Sequence, residues 1–223
     1  MLALSACGGS SSNAAPPDAV AKAATATSAK GSEHFTLTGS VQALGQSIPL
    51  SGGGDFKNLP RPGEGTMTIS VDIGGNKAPV TAVFAGSTVY LSSSLFAATL
   101  PKGKTWIKID TRKAATFSGI DLNQLSANNP SEILSALEKT STVTKAGTDT
   151  IGGIKATHYR VTANGQPADV WVGPDNTLVR VTENVKVASA TSSTTVDFSR
   201  YGEPVVVKVP KASQTVDISK LGG

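Results

Sequence analysis

Cysteine occurs once in this 223-residue sequence, at Cys7. A single cysteine cannot form an internal disulfide, and a free thiol in an exported protein is a liability unless a reaction consumes it. Cys7 follows Leu4, Ser5 and Ala6, and small residues suit the narrow cleft of a signal peptidase. The pattern therefore predicts that Cys7 is covalently modified.

The four residues Leu4 to Cys7 resemble the bacterial lipobox, in which a branched apolar residue and two small residues precede a cysteine. The resemblance implies that the thiol takes a diacylglycerol through a thioether, that cleavage leaves Cys7 first, and that its new amine can be acylated. The alternative is a small buried cysteine near a frayed N-terminus. Residues 8–17 favour the lipobox, because this Gly, Ser, Asn, Ala and Pro tract has no large apolar side chain to bury.

These patterns predict three regions: a signal-peptide remnant with the lipobox at 1–7, a flexible tether at 8–17, and a single domain at 18–223. A signal peptide has an apolar segment of about 7 to 15 residues, so we expect the printed start to be truncated or to be an internal methionine. No stretch approaches the length of a membrane span. We expect a soluble domain held by lipidated Cys7 on the extracytoplasmic face of the cell membrane.

Few other residues could form a catalytic or metal site. The sequence has no Gly-x-Ser-x-Gly elbow, HExxH motif or phosphate-binding glycine loop. His34 and His158 are far apart, and each is interpreted as a surface or strand histidine. The aspartates near strand or turn ends are interpreted as solvated carboxylates; they are Asp110, Asp121, Asp169 and Asp197. We predict no enzyme, no catalytic residue, no metal and no cofactor.

The charge distribution argues against one class of partner. Charged residues make up 16% of the chain, and the formal net charge of +4 comes from scattered lysines. Nucleic-acid binding requires clustered Arg and Lys with interleaved aromatic residues, which this chain lacks. We therefore expect no nucleic-acid partner.

Two segments carry helical signals. Asp18 is a good N-cap for the alanine-rich run 19–29, which Gly31 would end. The second helix is predicted over 129–139, because Pro130 and Glu132 suit the first turn of a helix. Its apolar face consists of Ile133, Leu134 and Leu137.

Elsewhere apolar and polar residues alternate with a period of two, which indicates strands with one face in water. Strands are predicted over 35–43, 67–73, 80–85, 88–91, 105–110, 157–162, 168–172, 178–187, 194–198 and 205–209. Turn signals such as Asn-Gly at 164–165 separate them, so neighbouring strands should be antiparallel. The predicted fold class is α+β: one large curled antiparallel sheet of ten or eleven strands packed against a few short helices.

The order and spacing of six segments resemble the LolA/LppX-type lipoproteins of actinobacteria, including the LprG-like lipid carriers. The segments are 84–91, 103–110, 129–139, 153–159, 170–173 and 201–210. The resemblance implies a half-barrel wrapped against helices, with an apolar cavity that carries lipid acyl chains between membrane and envelope. The same fold includes RseB-like regulators that bind a protein. Two functions therefore stay open: lipid binding or transport, or a sensor or interaction module with a filled core and an envelope protein partner.

The candidate lining of such a cavity combines strand and helix residues. They are Phe35, Leu37, Met67, Ile69, Val71, Phe84, Leu91, Phe96, Leu134 and Leu137. The segment 92–102 breaks the alternation and is interpreted either as a lid or as a packed loop. Trp106 and Trp171 are assigned to the core in preference to a cavity rim, although their strand neighbours have the opposite parity.

Overall fold

The structure is a computed structural model that describes residues 16–43, 46–60, 63–73, 76–112, 116–117, 120–121, 130–140, 142–163, 165–187 and 190–221. The lipobox, Cys7 and most of the predicted tether lie outside these residues, as does Asn129, the first residue of the second predicted helix. The boundaries of those regions therefore stay predictions.

The described residues form two α-helices, three short 3₁₀ helices and fourteen strands. Helix α1 is Ala19–Ala29 and helix α2 is Pro130–Glu138. The 3₁₀ helices are Ser94–Thr99, Ala212–Gln214 and Ile218–Lys220. The strands are β1 Ser32–Ala43, β2 Gln46–Lys57, β3 Glu64–Ile73, β4 Asn76–Ala85, β5 Thr88–Ser93, β6 Trp106–Asp110, β7 Thr116–Phe117, β8 Ile120–Asp121, β9 Val143–Ile151, β10 Ile154–Ala163, β11 Gln166–Val172, β12 Leu178–Val187, β13 Ala190–Ser199 and β14 Thr215–Asp217.

Twelve of the strands form one sheet in the order β14-β6-β5-β4-β3-β2-β1-β13-β12-β11-β10-β9, and β7 pairs with β8 separately. Every pair in the large sheet is antiparallel except β14 with β6, which is parallel. The predicted fold class is confirmed. The predicted number of ten or eleven strands was too low, because the sequence pattern did not indicate three of the strands and indicated one that does not form.

Strand β2 was hidden by Pro49 and by three consecutive glycines, Gly52 to Gly54. Pro49 is tolerated because the β2–β3 ladder begins at the Leu50–Val71 pair, beyond the proline. Strands β9 and β14 were also missed; β9 has a mostly exposed, polar sequence, and β14 has only three residues. The predicted strand over 205–209 was wrong. These residues lie in neither a strand nor a helix, and Val206 and Val209 are exposed.

The glycines of β2 are required by the close approach of the neighbouring backbones. A Cβ on Gly54 would overlap the carbonyl oxygen of Thr66 and lie 2.8 Å from the Cα of Met67. A Cβ on Gly52 would meet the Thr68 carbonyl oxygen in the same way. Larger residues would therefore force β2 and β3 apart.

Both predicted helices are present. Helix α1 has the predicted bounds, but Asp18 makes no side-chain cap and instead pairs with Lys22 at 2.7 Å. Helix α2 ends at Glu138, one residue before the predicted end. In the part of the chain that the structure describes, neither helix is long and apolar enough to cross a bilayer.

Candidate functional site

The face of the sheet that packs against α1 and α2, here called the inner face, is almost entirely apolar. Alternate residues of ten strands contribute to one continuous cluster with the two helices. The buried strand members are Phe35, Leu37, Phe56, Met67, Ala82, Phe84, Val89, Leu91, Ile107, Ile109, Val161, Ala163, Ala168, Val170, Val172, Leu178, Val181, Val196 and Phe198. These side chains form the hydrophobic core of the described chain.

Helix α1 presents small residues to the inner face. Ala23 and Ala24 are fully buried, together with Thr27, whose hydroxyl accepts a hydrogen bond of 2.9 Å from the backbone N–H of Leu178. The same hydroxyl donates to the carbonyl of Ala23 at 2.8 Å. Thr27 therefore fixes the helix to the first residue of β12.

The sheet has two different ends. The end at which β1 pairs with β2 through Ala43 and Gln46, and β3 pairs with β4 through Ile73 and Asn76, is here called the turn end. The inner face is only half-buried there, at Leu50 and Ile69. Phe96 and Leu100, from the 3₁₀ helix after β5 and its C-cap, pack against the cluster and are also half-buried. The apolar face is thus least covered at the turn end.

Little space remains beneath α2. A space of about 10 Å³ lies between Ile133 and the strand residues Val181, Glu183, Thr194 and Val196, which is about the room one water molecule needs. Loss of hydration raises the pKa of the Glu183 carboxyl. Glu183 is therefore the charged group that an apolar ligand under α2 would meet.

At the opposite end, where α1 leads into β1, a polar cluster is buried. Glu33 is 1% exposed and Asn58 is fully buried, and the Asn58 amide donates to the Glu33 carboxylate. The second Glu33 oxygen, Asn58 Oδ1 and Ser131 Oγ are buried without a partner in the described structure. Loss of hydration raises the pKa of Glu33 to about 7. It also raises that of Tyr201, whose hydroxyl donates to the Leu178 carbonyl.

The predicted lining residues lie in or against this inner-face cluster where their side chains are described. Phe35, Leu37, Met67, Phe84, Leu91, Leu134 and Leu137 are buried, and Ile69 and Phe96 are half-buried. The side chain of Val71 is outside the described part. Sequence reasoning missed Glu33 and Glu183, although each shares the parity of the apolar residues around it.

The assignment of the tryptophans to the core was wrong. Ile107 and Val170 occupy the inner face at 0% exposure, so the neighbouring Trp106 and Trp171 point to the opposite, outer face. The indole N–H of Trp171 donates to Asp149 at 2.7 Å. Its ring stacks on His158 at 4.3 Å between centroids, with 11° between the planes.

The outer face carries ion pairs instead of isolated carboxylates. His158 contacts Asp169 at 2.6 Å and Asp149 at 3.6 Å. Arg180 pairs with Asp197 through two hydrogen bonds of 2.5 and 2.7 Å. Asp110 likewise pairs with Arg112. Three of the four aspartates interpreted as solvated, Asp110, Asp169 and Asp197, thus have charged partners. The side chain of the fourth, Asp121, is outside the described part.

A polar cleft of about 240 Å³ also lies beside the start of β1. It is lined by Glu33, His34, Asp55, Thr66, Arg200, Glu203, Pro204, Val205 and Val206. His34 contacts Asp55 at 2.9 Å, and Arg200 lies 3.8 Å from Asp55 and 3.9 Å from Glu203. Three carboxyl groups, one guanidinium and one imidazole line this cleft. Among the described residues, no group of three His, Cys, Asp or Glu side chains could hold a metal.

An open sheet of twelve strands with an apolar face under two helices defines the class of LolA-like folds. Within that class, the chain has the fold of two mycobacterial proteins. LprF of Mycobacterium bovis superposes with a TM-score of 0.53 and 16% identity, over 87% of this chain and 96% of LprF. Lipoprotein LppX of Mycobacterium tuberculosis gives 0.52 and 18%, over 86% and 97%. The fold is thus of the LppX/LprF type.

No protein-family model matches the chain. An uncharacterized 31.2 kDa protein of Streptomyces griseus is 25% identical over 174 residues, which are 63% of this chain and 57% of that protein. The chain therefore spans less than two thirds of this relative.

Proposed function

We propose that this protein is a membrane-anchored lipoprotein that binds the acyl chains of a lipid on the inner face of its sheet. It would act outside the cytoplasmic membrane, within the cell envelope, as a carrier and not as an enzyme. The observation that carries the proposal is the continuous apolar inner face, which becomes only half-buried at the turn end.

The two described helices are shorter than the longest strands of this face. At about 1.5 Å per residue, α1 and α2 are roughly 16 and 14 Å long. Strands β1 and β2 have twelve residues each, and at about 3.3 Å per residue they are roughly 40 Å long. The remaining apolar surface at the turn end is where an acyl chain gains most from burial.

Binding of this kind needs no chemistry at the site. Each methylene buried from water contributes about 0.8 kcal/mol, whether the chain lies in a bilayer or against protein. Exchange of an acyl chain between the bilayer and the protein is therefore nearly neutral in free energy and requires only a path between them. The half-buried Phe96 and Leu100 at the turn end lie where such a path would begin.

The proposal is tested by lipid loading. The full chain with Cys7→Ser, which removes the lipidation site, is incubated with lipid vesicles, separated from them and weighed by native mass spectrometry. We expect a discrete lipid adduct that organic extraction releases. A protein that stays at its apo mass after incubation contradicts the proposal.

A matched pair of variants locates the site. Ile69→Trp fills the inner face at the turn end and should abolish most of the loading, whereas Thr68→Trp, at the adjacent exposed position, should load normally. Urea unfolding of both variants separates a blocked site from a destabilised fold. Equal loading by the two variants would place the ligand elsewhere.

The anchoring part of the proposal has its own test. In the parent cell, the natural sequence should incorporate labelled palmitate and sediment with membranes, and Cys7→Ser should do neither. Continued labelling of the variant would end the lipobox interpretation.

One observation favours a second function. The space of about 10 Å³ beneath α2 is too small for an acyl chain, so loading there requires α2 to move away from the sheet. A protein whose core stays filled would instead be a sensor or interaction module that binds an envelope protein. A persistent apo mass together with capture of a defined envelope protein would favour this alternative.

A further inference from the structure

Two segments of the chain are basic and lack acidic residues. Residues 86–109 contain Lys102, Lys104 and Lys108, and residues 204–216 contain Lys208 and Lys211. Neither segment contains Asp or Glu. Such a distribution is unexpected in a chain whose 20 basic residues and 16 acidic residues are otherwise mixed.

The fold brings these segments together at one edge of the sheet. The Lys104 ammonium donates to the carbonyls of Ala212 and Ser213, at 3.3 and 2.9 Å. The backbone N–H of Thr105 donates to the Gln214 carbonyl at 2.9 Å, and β6 then continues in parallel with β14. We name this surface the basic corner, formed by 94–104 and 208–213; the preceding Val206 lies in the polar cleft beside the start of β1.

Apolar side chains project from the same corner into solvent. Leu95 is 49% exposed and Val209 51%. They are two of the five large apolar residues that are exposed in the described chain. Leu95 belongs to the 3₁₀ helix Ser94–Thr99, which has no buried residue and whose Phe96 packs against the inner-face cluster. The basic corner thus adjoins the turn end.

The acidic residues that flank these segments are already engaged. Asp110 forms two hydrogen bonds of 2.9 Å with Arg112. Hydrogen bonds from Ser219 lower the pKa of Asp217, and Lys108 and Lys220 contribute to the same effect. Lys102, Lys208 and Lys211 are exposed, and no ion pair engages any of the three in the described structure. Their positive charge therefore faces solvent uncompensated.

We propose that the basic corner docks on the surface of an anionic lipid bilayer. Its exposed Leu95 and Val209 enter the interface while its lysines meet the headgroups, the combination by which peripheral proteins bind anionic membranes. The choice of a bilayer as partner rests on the proposed function, because docking here sets the turn end beside the membrane that supplies the acyl chain.

The opposite edge of the sheet provides a matched control. Strands β9 and β10 carry exposed Lys145 and Lys155, with Ile154 at 43% exposure. Asp149 lies on β9 between them and is half exposed, so this edge is not free of acidic residues. Removing two lysines there changes the net charge by the same amount as removing two from the basic corner.

The test compares vesicle binding by the full chain carrying Cys7→Ser with two double variants. Lys102→Gln with Lys211→Gln leaves the Lys104 hydrogen bonds in place and should weaken binding to phosphatidylglycerol-containing vesicles roughly 30-fold. Lys145→Gln with Lys155→Gln should weaken it much less. Binding should fall as salt rises and should be weak on pure phosphatidylcholine. Leu95→Ser should reduce binding further.

Equal binding to charged and neutral vesicles overturns the inference, as does an equal loss in the two double variants. No binding to anionic vesicles, combined with salt-sensitive binding to polyglutamate, would assign the corner to an acidic protein and also overturn it. Lipid loading from detergent micelles separates this inference from the proposed function. If the corner variants lose vesicle binding but load lipid normally from micelles, both the proposed function and the docking site are supported. If they load normally and vesicle binding does not depend on the basic corner, the docking site alone is refuted.

Discussion

Glu33 should make the stability of this protein depend on pH. Burial raises the pKa of its carboxyl from the ordinary 4.5 to about 7 in the folded protein. A raised pKa means that the folded state binds the proton more tightly than the unfolded state. The contribution of Glu33 is therefore most favourable below pH 4.5, falls as the pH rises to about 7, and is constant above that.

The magnitude follows from the difference between the two pKa values. Each tenfold change in proton affinity corresponds to about 1.36 kcal/mol, so a difference of 2.5 between 4.5 and 7 gives about 3 kcal/mol. Glu33→Gln keeps the shape of the side chain and removes its titration. Relative to the natural protein, the variant should gain about 3 kcal/mol between pH 4.5 and 8, or about 6 to 12 °C in Tm for a domain of this size.

The assay is urea unfolding of the natural protein and of Glu33→Gln at a series of pH values from 4.5 to 8. All other titratable groups are present in both proteins, so their contributions cancel in the difference. Glu64→Gln, which removes an exposed carboxylate, serves as the control. A difference between Glu33→Gln and the natural protein that does not change with pH would refute a buried carboxyl with raised pKa.

Two further predictions concern packing and hydrogen bonding. Gly54→Ala should destabilise the fold by about 1–3 kcal/mol in urea unfolding, because the new Cβ overlaps the Thr66 carbonyl. Gly147→Ala, which meets nothing within 4 Å, should not; a similar loss in both would refute the close approach. Thr27→Val should cost about 1–3 kcal/mol, because it leaves the N–H of Leu178 buried without an acceptor. Thr25→Val, at an exposed position of α1, should have little effect, and equal losses would contradict the role of Thr27.

The sequence predicted the elements whose signals are local. Helix α1 matched its expected bounds because an alanine-rich run ends at Gly31, whose φ of 83° suits glycine. Most strands were found because one face of each is buried, which produces a period of two. Strand β2 was missed because its glycines are required by the close approach of the neighbouring strand backbone. The alternation of residues within β2 itself does not show that requirement.

The candidate site was predictable as an apolar face but not in its charged details. Parity alone could not decide whether Trp171 or Val170 points inward, and this choice follows from register across the whole sheet. Glu33 repeats the parity of Phe35 and Leu37, so its burial could be suspected from its position. Its pairing with Asn58 depends on a contact between residues 25 positions apart, which propensity does not reveal.

The unpaired segment 205–209 shows the same limit. Its four valines have the composition of a strand, but the adjacent sheet positions are occupied: β13 lies between β1 and β12, and the chain must cross to β6 before it can pair again as β14. Topology therefore overrides β-propensity here. Val206 and Val209 are left exposed, and Val209 contributes to the basic corner.

The large sheet ends at β14 and at β9, and these two strands are not bonded to each other. A closed barrel has a fixed circumference, because any change of its width breaks a ladder of hydrogen bonds. Here the gap between the two ends can widen or narrow by small changes in twist, with every ladder intact. The volume available to the proposed ligand therefore depends on how easily the twelve-stranded sheet bends, as well as on the side chains that line the inner face.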